Sequence, residues 1–102
     1  MPIVIARVRP LPGHVEDVLD AYAETVPLIH QEQGCELFAV HTDGESVFIV
    51  ERWTRPEDLK AHATSPVMAR IRELLADAVA APADIWQVDN VALGETAKGT
   101  IR

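Results

Sequence analysis

Residues Glu36–Trp53 read ELFAVHTDGESVFIVERW. Two runs of strand-forming residues, Glu36 to His41 and Ser46 to Trp53, flank Thr42-Asp43-Gly44-Glu45, in which Asp-Gly is a hairpin signal. The two runs therefore pair antiparallel. In the second run Val47, Ile49, Glu51 and Trp53 point one way and Phe48, Val50 and Arg52 the other, so both faces of the sheet carry apolar side chains.

Working outward toward the N-terminus, Val15, Val18, Leu19, Tyr22, Val26, Ile29 and His30 recur at three- and four-residue steps. This predicts an amphipathic helix running to about Gln33-Gly34, kinked near its end by Pro27. Before it, β-branched Ile3 to Arg9 reads as a strand that Pro10-Leu11-Pro12-Gly13 stops. On the other side of the hairpin, Thr54 and Glu57 have capping-box spacing and open a short helix with Pro56 in its first turn. Ser65-Pro66 restarts the helical pattern, carried by Val67, Ile71, Leu74, Leu75 and Ala78 and ended by Pro82. Ile85 to Leu93 reads as a last strand. The expected organisation is one domain over residues 1–93 and a polar tail over 94–102. The order of elements predicts an α+β, ferredoxin-like βαββαβ fold, an antiparallel sheet with its helices on one face. The second apolar face needs a cover, and a second sheet from another copy of the chain is the expected one.

The chain has 102 residues, 48% of them hydrophobic, which suits a single core. Its net charge of −7, with 16 acidic residues against 9 scattered basic ones, argues against nucleic acid as a partner. No apolar run approaches the roughly 20 residues that span a bilayer, and Met1 to Ala6 leads into a strand without a basic leader, so no membrane partner and a cytoplasmic location are expected. The lone Cys35 has no partner for an internal disulfide and reads as a small core residue. His14, His30, His41 and His62 show no metal-ligand spacing, and no metal or other cofactor is expected.

Val4-Ile5-Ala6, Pro12-Gly13, Val26-Pro27, Gln33-Gly34-Cys35, Glu51-Arg52-Trp53, Leu59, Ala61-His62 and Ser65-Pro66, in this order and spacing, resemble the antibiotic biosynthesis monooxygenase domain, especially its quinol-monooxygenase-like members. The resemblance covers Pro2 to Leu93. It implies a dimeric α+β barrel with a pocket between helices and sheet, and oxidation of small aromatic quinols or phenols by dioxygen without metal, flavin or haem. Trp53 falls where anthrone-oxidising relatives carry a functional tryptophan. Their asparagine, tyrosine and arginine fall on Ile49, Leu59 and about Glu73, which do not match. The haem-degrading relatives' asparagine falls on Ala6 or Arg7 and their histidine on Arg72, which speaks against haem. A second histidine of quinol-type members is Val67 here, leaving His62 as the surviving one.

If a substrate anion reduces dioxygen directly, the site need supply only a base, a dry apolar wall and shape. A histidine titrates near neutral pH and a buried carboxylate has a raised pKa, so His62 and Glu51 are the candidate catalytic residues. Each has a plainer reading: His62 as a partner for a backbone carbonyl between two helices, Glu51 as half of a buried ion pair with an arginine. Trp53 is either a substrate platform or a core aromatic. Tyr22 and His30, on the apolar face of the first helix, are candidate substrate-binding residues, His30 alternatively bonding carbonyls loosened by Pro27. Trp86 either rims the pocket or packs at a subunit interface. Three functions stay open: a cofactor-independent monooxygenase, a non-catalytic dimeric ligand-binding or stress-response module, and an isomerase of the same fold family.

Overall fold

A computed structural model describes residues 1–102. The elements are β1 (Ile3–Val8), α1 (Val15–Ile29), β2 (Cys35–Thr42), β3 (Val47–Trp53), α2 (Pro56–Ala63), α3 (Pro66–Leu75), β4 (Asp84–Val88) and a short α4 (Thr96–Gly99). The four strands form one antiparallel sheet in the order β2-β3-β1-β4. With the helices packed on one face, this is the ferredoxin-like α+β arrangement that the order of elements predicts.

The hairpin turns at Gly44, whose φ of +91° suits a residue without a Cβ. Asp43 holds the turn by accepting from the backbone N–H groups of Glu45 and Ser46 at 2.9 and 2.7 Å, and these bonds hold its carboxyl below the usual range. On β3 the alternation is as expected: Val47, Ile49, Glu51 and Trp53 are buried under the helices while Phe48, Val50 and Arg52 are half-buried on the other face.

Three boundaries differ from the sequence reading. α1 ends at Ile29 rather than near Gln33-Gly34, because Gln31 and Glu32 bond three residues back, to Leu28 and Ile29, and the chain tightens into a turn. Thr54 and Glu57 do not form a capping box: Arg55 is the N-cap of α2, and the Thr54 hydroxyl donates instead to Glu36 Oε1 at 2.8 Å. The last strand stops at Val88, which pairs with Ile3, the first residue of β1, so residues beyond it have no strand to pair with. Ser65 does cap α3, its hydroxyl accepting from Met68 N–H at 3.3 Å.

The tail is not merely polar. Asn90 exchanges a pair of hydrogen bonds with the backbone of Ile101, both 3.0 Å, and Lys98, Thr100 and Ile101 border a groove with Ile3, Ile5 and Val88. Ile3, on the face away from the main helices, is thereby nearly fully buried. Farther along that face Trp86 stays half exposed, at 51%.

Candidate functional site

Glu51 sits on β3 between Ile49 and Trp53, with its side chain almost fully buried. Its Oε1 accepts from Trp53 Nε1 at 3.0 Å. The Trp53 indole is completely buried and stacks on the His62 imidazole, ring centroids 4.6 Å apart and planes inclined by 28°. Phe38 from β2 meets the same imidazole edge-on at 5.8 Å. The ring therefore has apolar neighbours, and its polarity is met at its two nitrogens.

His62 Nδ1 lies 3.0 Å from Glu32 Oε1, and His62 Nε2 lies 3.8 Å from Glu51 Oε1, the second being an ion-pair separation rather than a hydrogen bond. One imidazole thus stands between two carboxylates, one deep under the sheet and one, Glu32, with a side chain 17% exposed. Burial pushes the Glu51 carboxyl above the usual range, partly offset by the Trp53 hydrogen bond and by His62. Burial likewise raises the Cys35 thiol, with Glu32 and Glu51 adding to it, so Cys35 is no reactive thiolate.

Glu32 reaches His62 because the chain reverses at Gly34. Gly34 has φ +79°, and a Cβ there would overlap the Asp58 carboxylate on α2. Asp58 is itself buried and bridged by Arg55 at 3.1 Å, while Thr54 N–H donates to the Gly34 carbonyl at 2.9 Å. The turn after α1 is thus pressed directly on α2, and Glu32 and His62 face each other across that contact.

The main apolar cleft of this face lies elsewhere, between α3, the segment after it, and β4. It has a volume of about 520 Å³ and is lined by Val8, Tyr22, Met68, Ile71, Leu75, Val79 and Ile85 among others. Tyr22 and Arg72 are its polar lining residues: Tyr22 is 6% exposed, and its hydroxyl makes no hydrogen bond within the chain. Burial first, and the charge of Glu51 second, push the Tyr22 phenol up to about 12, so it is a hydrogen-bond donor throughout the neutral range. The Tyr22 ring also approaches Phe38, at 6.4 Å, which places it between the cleft and the histidine cluster.

Of the residues singled out in the sequence, Glu51, Trp53 and His62 are brought together, with Tyr22 adjoining them and lining the cleft. His62 and Trp53 do not line that cleft; they are packed beside it. The arginine considered as a partner for Glu51 is replaced by His62. His62 bonds a carboxylate and not a backbone carbonyl. His30 is on the surface, its Nε2 2.9 Å from the Phe38 carbonyl of β2, away from the cleft. Trp86 stands opposite Ile5 on the face away from the helices, and so does not rim the cleft. The sequence reading missed Glu32 and Phe38, whose link to His62 crosses about 30 and 24 residues of chain and has no local spacing to betray it. No three His, Cys, Asp or Glu side chains are placed to hold a metal ion, and no helix is long and apolar enough to cross a membrane.

"Probable quinol monooxygenase YgiN" of Escherichia coli K12 is 33% identical over 86 residues, covering 72% of this chain and 83% of that protein. Rv0793 of Mycobacterium tuberculosis superposes with a TM-score of 0.80 at 20% identity, over 93% of this chain and all of the other. A crystal structure of an antibiotic biosynthesis monooxygenase superposes at 0.81 with 23% identity, over 90% and 100%. These two solved structures share the fold. The family model described as "Antibiotic biosynthesis monooxygenase" matches residues 1–74, which span β1 to α3 and hold Tyr22, Glu51, Trp53 and His62. The chain belongs to the antibiotic biosynthesis monooxygenase family.

Proposed function

We propose that the protein is a cofactor-independent monooxygenase that oxidises a small aromatic quinol or phenol with dioxygen in the cleft lined by Tyr22. The observation that carries this reading is the juxtaposition of an apolar cleft with a phenol donor in its lining and a buried, proton-seeking carboxylate, Glu51, behind that donor. The proton released from the substrate is relayed through the Tyr22 hydroxyl to Glu51 and His62, which do not themselves line the cleft, and Tyr22 then donates to the substrate oxyanion. His62 can pass that proton toward Glu32 and solvent. The substrate anion gives one electron to dioxygen, and the radical pair recombines to form a C–O bond. Loss of water then leaves one oxygen atom on the ring and the other in the water, so no external reductant is consumed. The apolar walls keep the radical pair together and exclude bulk water.

Oxygen uptake with dihydroxynaphthalenes and anthrones, on protein freed of metal by chelation and gel filtration, tests this. Glu51→Gln should lower turnover by roughly 10²- to 10⁴-fold, the usual loss on removing a general base, and His62→Ala should also lower it. Wild type without oxygen uptake, or a Glu51→Gln protein that equals it, would end the proposal. The sealing of His62 and Trp53 away from the cleft supports a second reading, a non-catalytic ligand-binding module whose charge cluster only braces the fold. Ligand binding with no oxygen consumption would select it.

The same proposal includes a homodimer through the sheet face that the main helices leave open, where Phe48, Val50 and Trp86 offer apolar surface. Light scattering on Trp86→Glu, expected to shift the protein toward monomer, checks it; a wild-type monomer at micromolar concentration would refute it.

A further inference from the structure

Arg72 is the only charged side chain lining the apolar cleft, in a protein whose net charge is −7. Its neighbour Arg70 is taken up by Glu24 at 2.8 Å and Glu73 at 3.7 Å, but Arg72 makes no ion pair within the chain. Arg72 is exposed; one of its nitrogens donates to the Ala63 carbonyl at 3.1 Å, and its other donors are left to solvent or a ligand. Tyr22 lines the same cleft; the residue as a whole is 6% exposed, and its hydroxyl reaches solvent and makes no hydrogen bond within the chain. The rest of the lining is mostly apolar, Val8, Ile71, Leu75 and Ile85 among it, and carries no carboxylate.

We infer that the cleft takes a planar aromatic ligand with a carboxylate or comparable anionic substituent bound by Arg72 and, on another part of the ring, an oxygen that accepts from Tyr22. The ring fills the apolar wall. A guanidinium matches a carboxylate with two parallel N–H donors, and in an otherwise acidic protein it is the one feature of the cleft that favours an anion over a neutral molecule. Tyr22 is uncharged and cannot serve as the anion's counter-charge, so the two ends of the ligand are distinguished: the anionic group goes to Arg72 and the neutral oxygen to Tyr22. The inference rests on the cleft assigned above to oxidation, and it specifies the substrate class of that site.

The test is binding, read without turnover. Full-length protein is titrated calorimetrically with 6-hydroxy-2-naphthoate, 2-naphthol and 2-naphthylmethylamine, none of which is a quinol. The hydroxynaphthoate should bind about tenfold more tightly than 2-naphthol, as one charge-assisted hydrogen bond allows, and the cationic amine should bind worst. Arg72→Gln should remove the preference for the anion and leave 2-naphthol binding unchanged, Arg72→Lys should restore part of it, and added salt should weaken only the anion. Tyr22→Phe should weaken both hydroxylated probes about fivefold. Equal binding of anion and neutral probe by the wild type, an Arg72→Gln protein that keeps the preference, or no binding of any probe up to millimolar concentration each overturns the inference. Selective binding by a protein that consumes no dioxygen would instead sink the oxidation reading and leave this one standing.

Discussion

Two halves of the helix-covered side of the sheet are built on opposite principles. Under β2 and β3 the space is sealed: Trp53, Phe38 and His62 fill it, and two carboxylates enter only as partners of the imidazole. Beside β1 and β4 the space is open, its walls are aliphatic, and its two polar groups have unmet hydrogen-bonding capacity. A buried charge is tolerated when its partners are built in, whereas unmet polar groups in an apolar cleft are suited to a ligand that brings the partners with it. Tyr22, touching Phe38 on one side and the cleft on the other, is where the halves communicate.

The sharpest way to break this contrast is to empty the sealed half. Trp53→Ala removes a fully buried indole, the stacking partner of His62 and the hydrogen-bond donor to Glu51. The loss should be about 3–5 kcal/mol, as for other buried aromatics truncated to alanine. Urea denaturation measures it, and a loss under about 1 kcal/mol would mean that this half is not the packed core described.

A somewhat smaller loss is expected at the turn that delivers Glu32. Gly34→Ala places a Cβ against Asp58 in a backbone conformation that L-residues avoid. About 2–3 kcal/mol is expected, enough to combine the positive φ with the displacement of Asp58 from Arg55. If the alanine protein unfolds at the wild-type urea concentration, the turn is not locked to α2.

Glu51 gives a slope rather than a step. Burial raises its folded-state pKa above the unfolded value, so the native protein holds this proton more tightly. The stability it contributes is present below the unfolded carboxylate range and is lost as pH rises through the raised folded value. The stability of wild type minus that of Glu51→Gln should therefore fall as pH increases from about 4 toward neutrality, groups common to both proteins cancelling. A difference that rises with pH would mean that His62 and Trp53 outweigh burial. The same raised value should place the acid limb of any oxidase activity above the ordinary carboxylate range, whereas Tyr22, at about 12, should add no limb near neutral pH.

The sealed half was largely legible in the sequence, and the open half was not. Alternation along β3 puts Glu51 and Trp53 on one face, and the helix that follows at once returns His62 toward them; each step is local. Tyr22 was legible for the same reason, from its place on the apolar stripe of α1. Arg72 had significance in the sequence only as a position where a haem ligand is missing. Its place on the cleft depends on the path of residues 76–83 between α3 and β4, which no periodicity fixes. The strand expected to run to Leu93 ends at Val88 because Asp89 to Leu93 form strand only if a neighbour is present, and β1 begins at Ile3 opposite Val88. Glu32 was absorbed into the predicted helix, since a turn tightening after Ile29 leaves no trace in apolar spacing.

The smallest expected effect is also the one that separates the halves most cleanly. Ile85 faces the helix side from β4, opposite Ala6, and lines the cleft, yet it is 67% exposed. Little of its surface is removed from water by folding, so Ile85→Ser should change stability by no more than about 0.5 kcal/mol. A ring seated in the cleft would cover that surface, and losing an isobutyl-sized contact of this kind corresponds to about 1 kcal/mol, or roughly a fivefold weakening of 2-naphthol binding. Trp53→Ala should show the reverse ordering, a large loss of stability with any effect on binding following from it. Paired melting and titration curves for the two variants decide the matter. An Ile85→Ser protein that melts early while binding 2-naphthol normally would show that the β4 wall is core, and that the ligand space must be sought on the other side of Tyr22.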